Sequence, residues 1–140
     1  MASPRLRSRL RNERGAAIVE FAACSIVFFM FVFGTAEYGR MVFDYNIVST
    51  AAREGARWAS ARGATSGHQA SASDVKSYVA GRSMGRLSSS DVTVTWPDTL
   101  GNEPGGRVVV QTQRNFQPIV GVLPAGLTTL RSTASMIIGR

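Results

Sequence analysis

From Gly15 to Ala36 the chain reads GAAIVEFAACSIVFFMFVFGTA, an apolar block that carries one carboxylate, Glu20. As a helix rising ~1.5 Å per residue, the 21 residues from Ala16 to Ala36 span ~31 Å, close to the ~30 Å hydrocarbon core of a bilayer. That length predicts a membrane-spanning helix. Glu20 is the anomaly in it, because an unpaired carboxylate at the centre of such a helix costs roughly 2.5 to 3.5 kcal/mol. A charge that expensive calls for a partner.

An arginine-rich leader precedes the block. Of the formal net charge of +7, Arg5, Arg7, Arg9, Arg11 and Arg14 against Glu13 contribute four units. The remaining 11 basic and 8 acidic residues are scattered, so no phosphate-tracking stripe forms and nucleic-acid binding is not expected. Basic residues beside a membrane helix stay on the cytoplasmic side. The N-terminus is therefore expected in the cytoplasm and the domain after Ala36 outside it, with the membrane crossed once. Cys24, the single cysteine, lies inside the apolar block, which leaves no intrachain disulfide to stabilise the domain.

Three processing routes compete at this N-terminus. Cleavage after Gly34-Thr35-Ala36 would use a small-x-small site, but the hydrophobic core would be about 18 residues with Glu20 inside it, longer than the usual 7 to 15. Lipidation at Cys24 would need the apolar core before the cysteine, and here it follows. The third route cuts directly after Gly15 and makes Ala16 the new N-terminus, with the apolar helix retained. Gly15, four residues, then Glu20-Phe21 at the head of an apolar helix resembles the type IV prepilin signal. Glycine would let an extended backbone approach a protease closely. The resemblance implies a membrane aspartyl prepilin peptidase as processing enzyme. It also implies a role for Glu20 in pairing with the N-terminal amine of a neighbouring subunit, with Phe21 beside it.

Helical periodicity continues past the membrane block. Tyr38, Met41, Val42, Tyr45, Val48, Ala52, Gly55, Ala56 and Ala59 form one stripe that shrinks toward its end, so that a sheet could approach the later turns. Phe43, Ile47 and Trp58 form a second, narrower patch and are candidates for a subunit contact. Glu37, Arg40 and Asp44 are spaced as a surface ladder of helix-supporting pairs. One helix from Ala16 to about Ala61 would be ~69 Å long, more than a bilayer needs.

Glu37-Tyr38-Gly39-Arg40 and Ala51-Ala52-Arg53-Glu54-Gly55-Ala56-Arg57, taken with Gly15 to Phe21, resemble the TadE-like pilus-assembly family. The resemblance covers about a third of the chain. It implies a pilin-like protein of the tight-adherence (Tad, or Flp) type IV pilus machinery, a minor pseudopilin that works with other pilins and the Tad assembly platform.

Beyond the helix, SARGATSGHQASAS from Ser60 to Ser73 reads as a connection. His68 stands there without a second ligand, so no metal is expected. Ser73 is placed to cap a short helix from Asp74, with Val75, Tyr78 and Val79 on its apolar face. The pattern then turns to alternation, with strands expected over 91–96, 107–115 and 127–138. Between the last two, Pro118 to Leu123 is unusually apolar and reads as a lid, a subunit contact or a membrane-proximal patch.

The fold expected is α+β and pilin-like: a long N-terminal transmembrane helix continuing into a small domain with a short second helix and a three-stranded antiparallel sheet. Its parts would be a removable leader over 1–15, the membrane helix over 16–36 and an extracytoplasmic domain over 37–140. No nucleophile elbow, phosphate loop or paired carboxylates point to an enzyme or a cofactor. Three readings stay open: an assembling pilin-like protein, a periplasmic binding or sensing domain on an inert tether, and a domain secreted after cleavage at Ala36.

Overall fold

The computed structural model describes the backbone over 4–119 and 128–139, and side chains from Gly15 onward. Helix α1 runs over Pro4–Ser60 without a break, and α2 over Ala72–Arg82. Strands β1 (Val92–Thr95), β2 (Arg107–Asn115) and β3 (Thr129–Ile137) form one antiparallel sheet in the order β1-β2-β3. The chain divides into two units, Met1–Tyr38 and Gly39–Arg140. The described part of the first is helix alone; the second takes the remainder of α1 as part of its core.

The α+β architecture matches expectation in its elements. Alternation places Val92 and Val94 of β1 and Val108, Val110 and Thr112 of β2 on the inner face, all buried. Register pairs Val94 with Val110 and Val110 with Ala134, so one row of side chains crosses all three strands. Against this face lie Val48, Ala51, Ala56 and Ala59 of α1 and Val75 and Val79 of α2. The small residues in the last turns of α1 let its neighbours come close. A Cβ at Gly55 would stand 2.3 Å from Cγ2 of Val79 and 3.6 Å from Cγ1 of Val110, so helix and sheet both press on that position. The hydroxyl of buried Thr112 donates to the Val48 carbonyl at 3.3 Å, tying sheet to helix.

Three expectations are corrected. The stripe holds only from Val48 onward: Tyr38, Val42 and Tyr45 are exposed, and the buried positions before Val48 are Glu37 and Asp44, each 4 % exposed. These two carboxylates therefore belong to no surface ladder. Helix α2 starts two residues earlier than expected, because Ser71, not Ser73, is its cap. Its side chain accepts from the Asp74 N–H at 3.2 Å, while the Asp74 carboxylate accepts from the Ser71 N–H at 3.0 Å, a reciprocal capping box. Third, β1 and β3 are shorter than expected, and residues 120–127 of the apolar connection lie outside the described residues.

Candidate assembly helix and buried charge cluster

The membrane-length part of α1 is exposed around its whole circumference. Ile18, Val19, Phe21, Phe28, Phe31 and Phe33 are all open, and none of the most apolar window is buried inside the protein. A helix apolar all round is suited to lipid or to other helices rather than to water. Among the described residues it is the one helix long and apolar enough to cross a membrane. Its hydroxyls are hidden from an apolar surrounding: Ser25 Oγ and Thr35 Oγ1 each donate to the carbonyl four residues back, Phe21 and Phe31, at 2.8 Å. Such back-bonding satisfies a polar group without a partner from outside. Glu20 has no such solution. Exposed on this helix, it makes no hydrogen bond or ion pair among the described residues.

Gly15 and Ala16 are exposed and helical, and a Cβ at Gly15 would meet nothing within 4 Å. The backbone there is not extended. Glycine inside a helix is about 0.5 to 1 kcal/mol worse than alanine, so Gly15, like Gly34 and Gly39, lowers the local cost of unwinding the helix.

In the second unit, the charge cluster is centred on Asp44. Its carboxylate lies 3.2 Å from Arg86 Nη1 and 3.5 Å from Arg114 Nε. Arg114 also donates through Nη1 to the Arg86 carbonyl. Its Nε is buried without a well-aligned acceptor, so that contact is an ion pair more than a hydrogen bond. The Arg40 guanidinium sits 5.2 Å from the centre of the Phe116 ring. These residues line a cavity of about 610 Å³ together with Asp91. Hydrogen bonds from the Ser88 N–H and hydroxyl hold the Asp91 carboxyl below its ordinary value of 3.8, with Arg114 adding to the effect. Three guanidinium groups, those of Arg40, Arg86 and Arg114, thus face the carboxylates of Asp44 and Asp91 around this cavity. Among the described residues no group of three His, Cys, Asp or Glu could hold a metal.

Phe43, Ile47 and Trp58 do not share one environment. Phe43 is 55 % exposed, Ile47 is half-buried, and half-buried Trp58 is engaged within its own domain. The indole stacks on Tyr78 at 4.9 Å, Arg62 covers its other side at 4.1 Å, and Arg82 lies 5.3 Å from the Tyr78 ring.

A family model described as TadE-like protein matches residues 15–57. That stretch is TadE-like. The match begins at the glycine of the Gly15 to Glu20 spacing and takes in both the exposed apolar helix and Asp44. The match covers 43 of the chain's 140 residues. No curated protein and no solved structure matches the chain.

Within the TadE-like stretch, sequence reasoning missed Asp44 as a buried group. The signal was present, since Asp44 precedes Val48 by four residues and so lies on the face that Val48, Ala51 and Gly55 continue. Arg86 and Arg114 gave no comparable signal. Each stands in a polar segment, and only the folded chain brings them to Asp44.

Proposed function

We propose that this protein is a minor pilin, or pseudopilin, of a Tad (Flp) type IV pilus system. A prepilin peptidase cuts it after Gly15 and frees the Ala16 amine, and the mature protein assembles through its apolar helix. Glu20 carries the reading. It is the single acidic group in the apolar segment from Gly15 to Ala36, whose two hydroxyls are already satisfied internally, and it lies inside the TadE-like stretch, five residues beyond Gly15. An amine from a neighbouring chain, created only by cleavage, would offset the cost of holding that carboxylate in an apolar surrounding.

Before assembly the precursor spans the bacterial inner membrane once, with its basic leader in the cytoplasm and residues 37–140 outside. Lipid, the peptidase, other pilins and the Tad assembly platform are its partners. Exposed Phe43 is the residue of the second patch best placed to touch another subunit.

Mass spectrometry of the mature protein from cells with active prepilin peptidase should show Ala16 at the N-terminus. An intact leader under those conditions overturns the processing claim. Glu20→Leu should still be cleaved but fail to enter fibres. If it enters fibres as wild type does, Glu20 is not the assembly contact; if function is intact while neither wild type nor variant enters fibres, the helix is an inert tether and the binding-domain reading takes its place.

A further inference from the structure

The two edges of the sheet are unequal. β1 has four residues, ends just before Pro97 and lies beside α2. β3, at the opposite edge, runs nine residues with no Pro and with Arg131 as its one charged residue. Residues of those kinds normally blunt an edge of such length, because its outward N–H and C=O groups template another strand. The register identifies the outward groups. Phe116 N–H donates to the Thr128 carbonyl at 2.6 Å and Ile138 N–H to the Gly106 carbonyl at 2.8 Å. Even-numbered residues thus turn their backbone toward β2, while Thr129, Arg131, Thr133, Ser135 and Ile137 turn theirs away. Among the described residues no backbone group pairs with that outer row.

The inner face tells the same story from packing. Val108, Val110 and Thr112 on β2 are at most 1 % exposed. Their partners on β3, Met136, Ala134 and Ser132, are only half-buried. Ser60 Oγ reaches Met136 Sδ at 3.9 Å, which marks the flank of α1 nearest β3. Counting back by the helical period puts Ala56, Ser49 and exposed Tyr45 on that flank. A further strand would satisfy the outer backbone row and cover this half-open strip at once.

We propose that the β3 edge takes up an extended segment of a different polypeptide as a fourth strand. Its alternate side chains are apolar toward Ala134 and Met136 and polar on the side of Thr133 and Ser135. The chain's own connection cannot do this. The 11 residues of 117–127 reach ~40 Å at most, whereas running down and back along a nine-residue strand takes ~60 Å. A second copy fits poorly as well. Antiparallel pairing of two β3 edges needs a two-fold axis normal to the sheet, which reverses the helix packed on it. Two chains anchored in one membrane point the same way, an exclusion that rests on the membrane reading above. Parallel pairing would set the half-open face of one copy beside the polar face of the other.

The probe is a soluble capped nonapeptide, Lys-Thr-Val-Thr-Val-Thr-Val-Thr-Lys, added to the full chain in detergent micelles while amide exchange is read residue by residue. At millimolar peptide, exchange of the Arg131, Thr133 and Ser135 amides should slow at least tenfold. Thr133→Pro, which removes an N–H that the fold does not use, should abolish the slowing at Arg131 and Ser135. A peptide N-methylated at every interior residue has no free interior N–H on either edge and should have no effect, a control that holds even if the proline variant fails to fold. Unchanged exchange at saturating peptide overturns the proposal, as does equal slowing by the methylated peptide. Slowing without peptide that grows with protein concentration overturns it too, since the occupant is then a second copy; cleavage at Gly15 is unaffected by any of these results.

Discussion

Asp44 occupies a position where valine or alanine would have continued the stripe that leads to Val48. A carboxylate is held there because Arg86 and Arg114 reach it from two other segments. A buried pair of this kind adds little net stability, yet breaking it strands the groups that remain. Both arginines keep partial access to water, which reduces that penalty. Asp44→Asn should therefore cost about 2 kcal/mol, toward the middle of the range for hydrogen bonds to charged groups. Urea unfolding of the full chain in detergent measures it. Gly55 poses the opposite problem, lack of space. Alanine there gains about 1 kcal/mol of helix propensity but meets Val79 at 2.3 Å, and overpacking costs about 1 to 3 kcal/mol. Gly55→Ala should lose stability on balance, and Val79→Ala in the same chain should recover part of the loss. Additive losses would mean that the two residues do not press on each other. At this scale the sequence was half legible. Ala52, Gly55 and Ala56 were readable as a close-packed face from size and period together. At Asp44 size and period disagreed, and polarity was followed where geometry should have decided.

The same four-residue device starts α2 and the turn before β1. Ser71-Ala72-Ser73-Asp74 and Ser88-Ser89-Ser90-Asp91 each close a capping box, with the serine hydroxyl 2.6 and 2.7 Å from the aspartate. These bonds hold both carboxyls below the ordinary value of 3.8. A depressed folded-state pKa means that the stabilisation is fully present above the unfolded value and is lost as pH falls through the folded one. Ser71→Ala should cost about 1 kcal/mol near neutrality, as for other N-caps. The gap between variant and wild type should narrow as the pH is taken well below 3.8, since the protonated aspartate accepts less strongly from the hydroxyl, while the hydroxyl's own bond from the Asp74 N–H remains. A gap constant from pH 7 to pH 2 would show that the serine acts without the carboxylate. Strand identity and facing were legible here because alternation survives in Val92, Val94, Val108 and Val110. The start of α2 was not, because Ser71, Ser73 and Asp74 within four residues offer several caps. Only the backbone decides which hydroxyl meets an N–H. The half-open face of β3 was also hidden, since Ala134 and Met136 read as core by type and are covered only in part.

The two units answer to different solvents. Gly39–Arg140 builds an inner face from Val48, Val75, Val79, Val108 and Val110 and can satisfy itself in water. The described part of Met1–Tyr38 buries none of its most apolar window. An ~31 Å apolar segment left in water would lose roughly 25 cal/mol for each Å² that lipid would have covered, a penalty far larger than the cost of inserting Glu20. On the proposed reading, the leader sets direction. Five arginines in the first 14 residues oppose transfer across the membrane, while Glu37, Arg40 and Asp44 give the other flank no basic excess. This makes orientation a test separate from cleavage. In a Cys24→Ser background, a cysteine placed at Ser73 should react with a membrane-impermeant maleimide in spheroplasts. One placed at Ser3 of the uncleaved precursor should react only after lysis. Replacing Arg5, Arg7, Arg9 and Arg11 with glutamate should weaken or invert that pattern, because the retained charge would be gone while the apolar length is unchanged. Labelling at Ser3 in intact spheroplasts of the unaltered leader would overturn the orientation and put the Gly15 site out of reach of a peptidase acting from the cytoplasm.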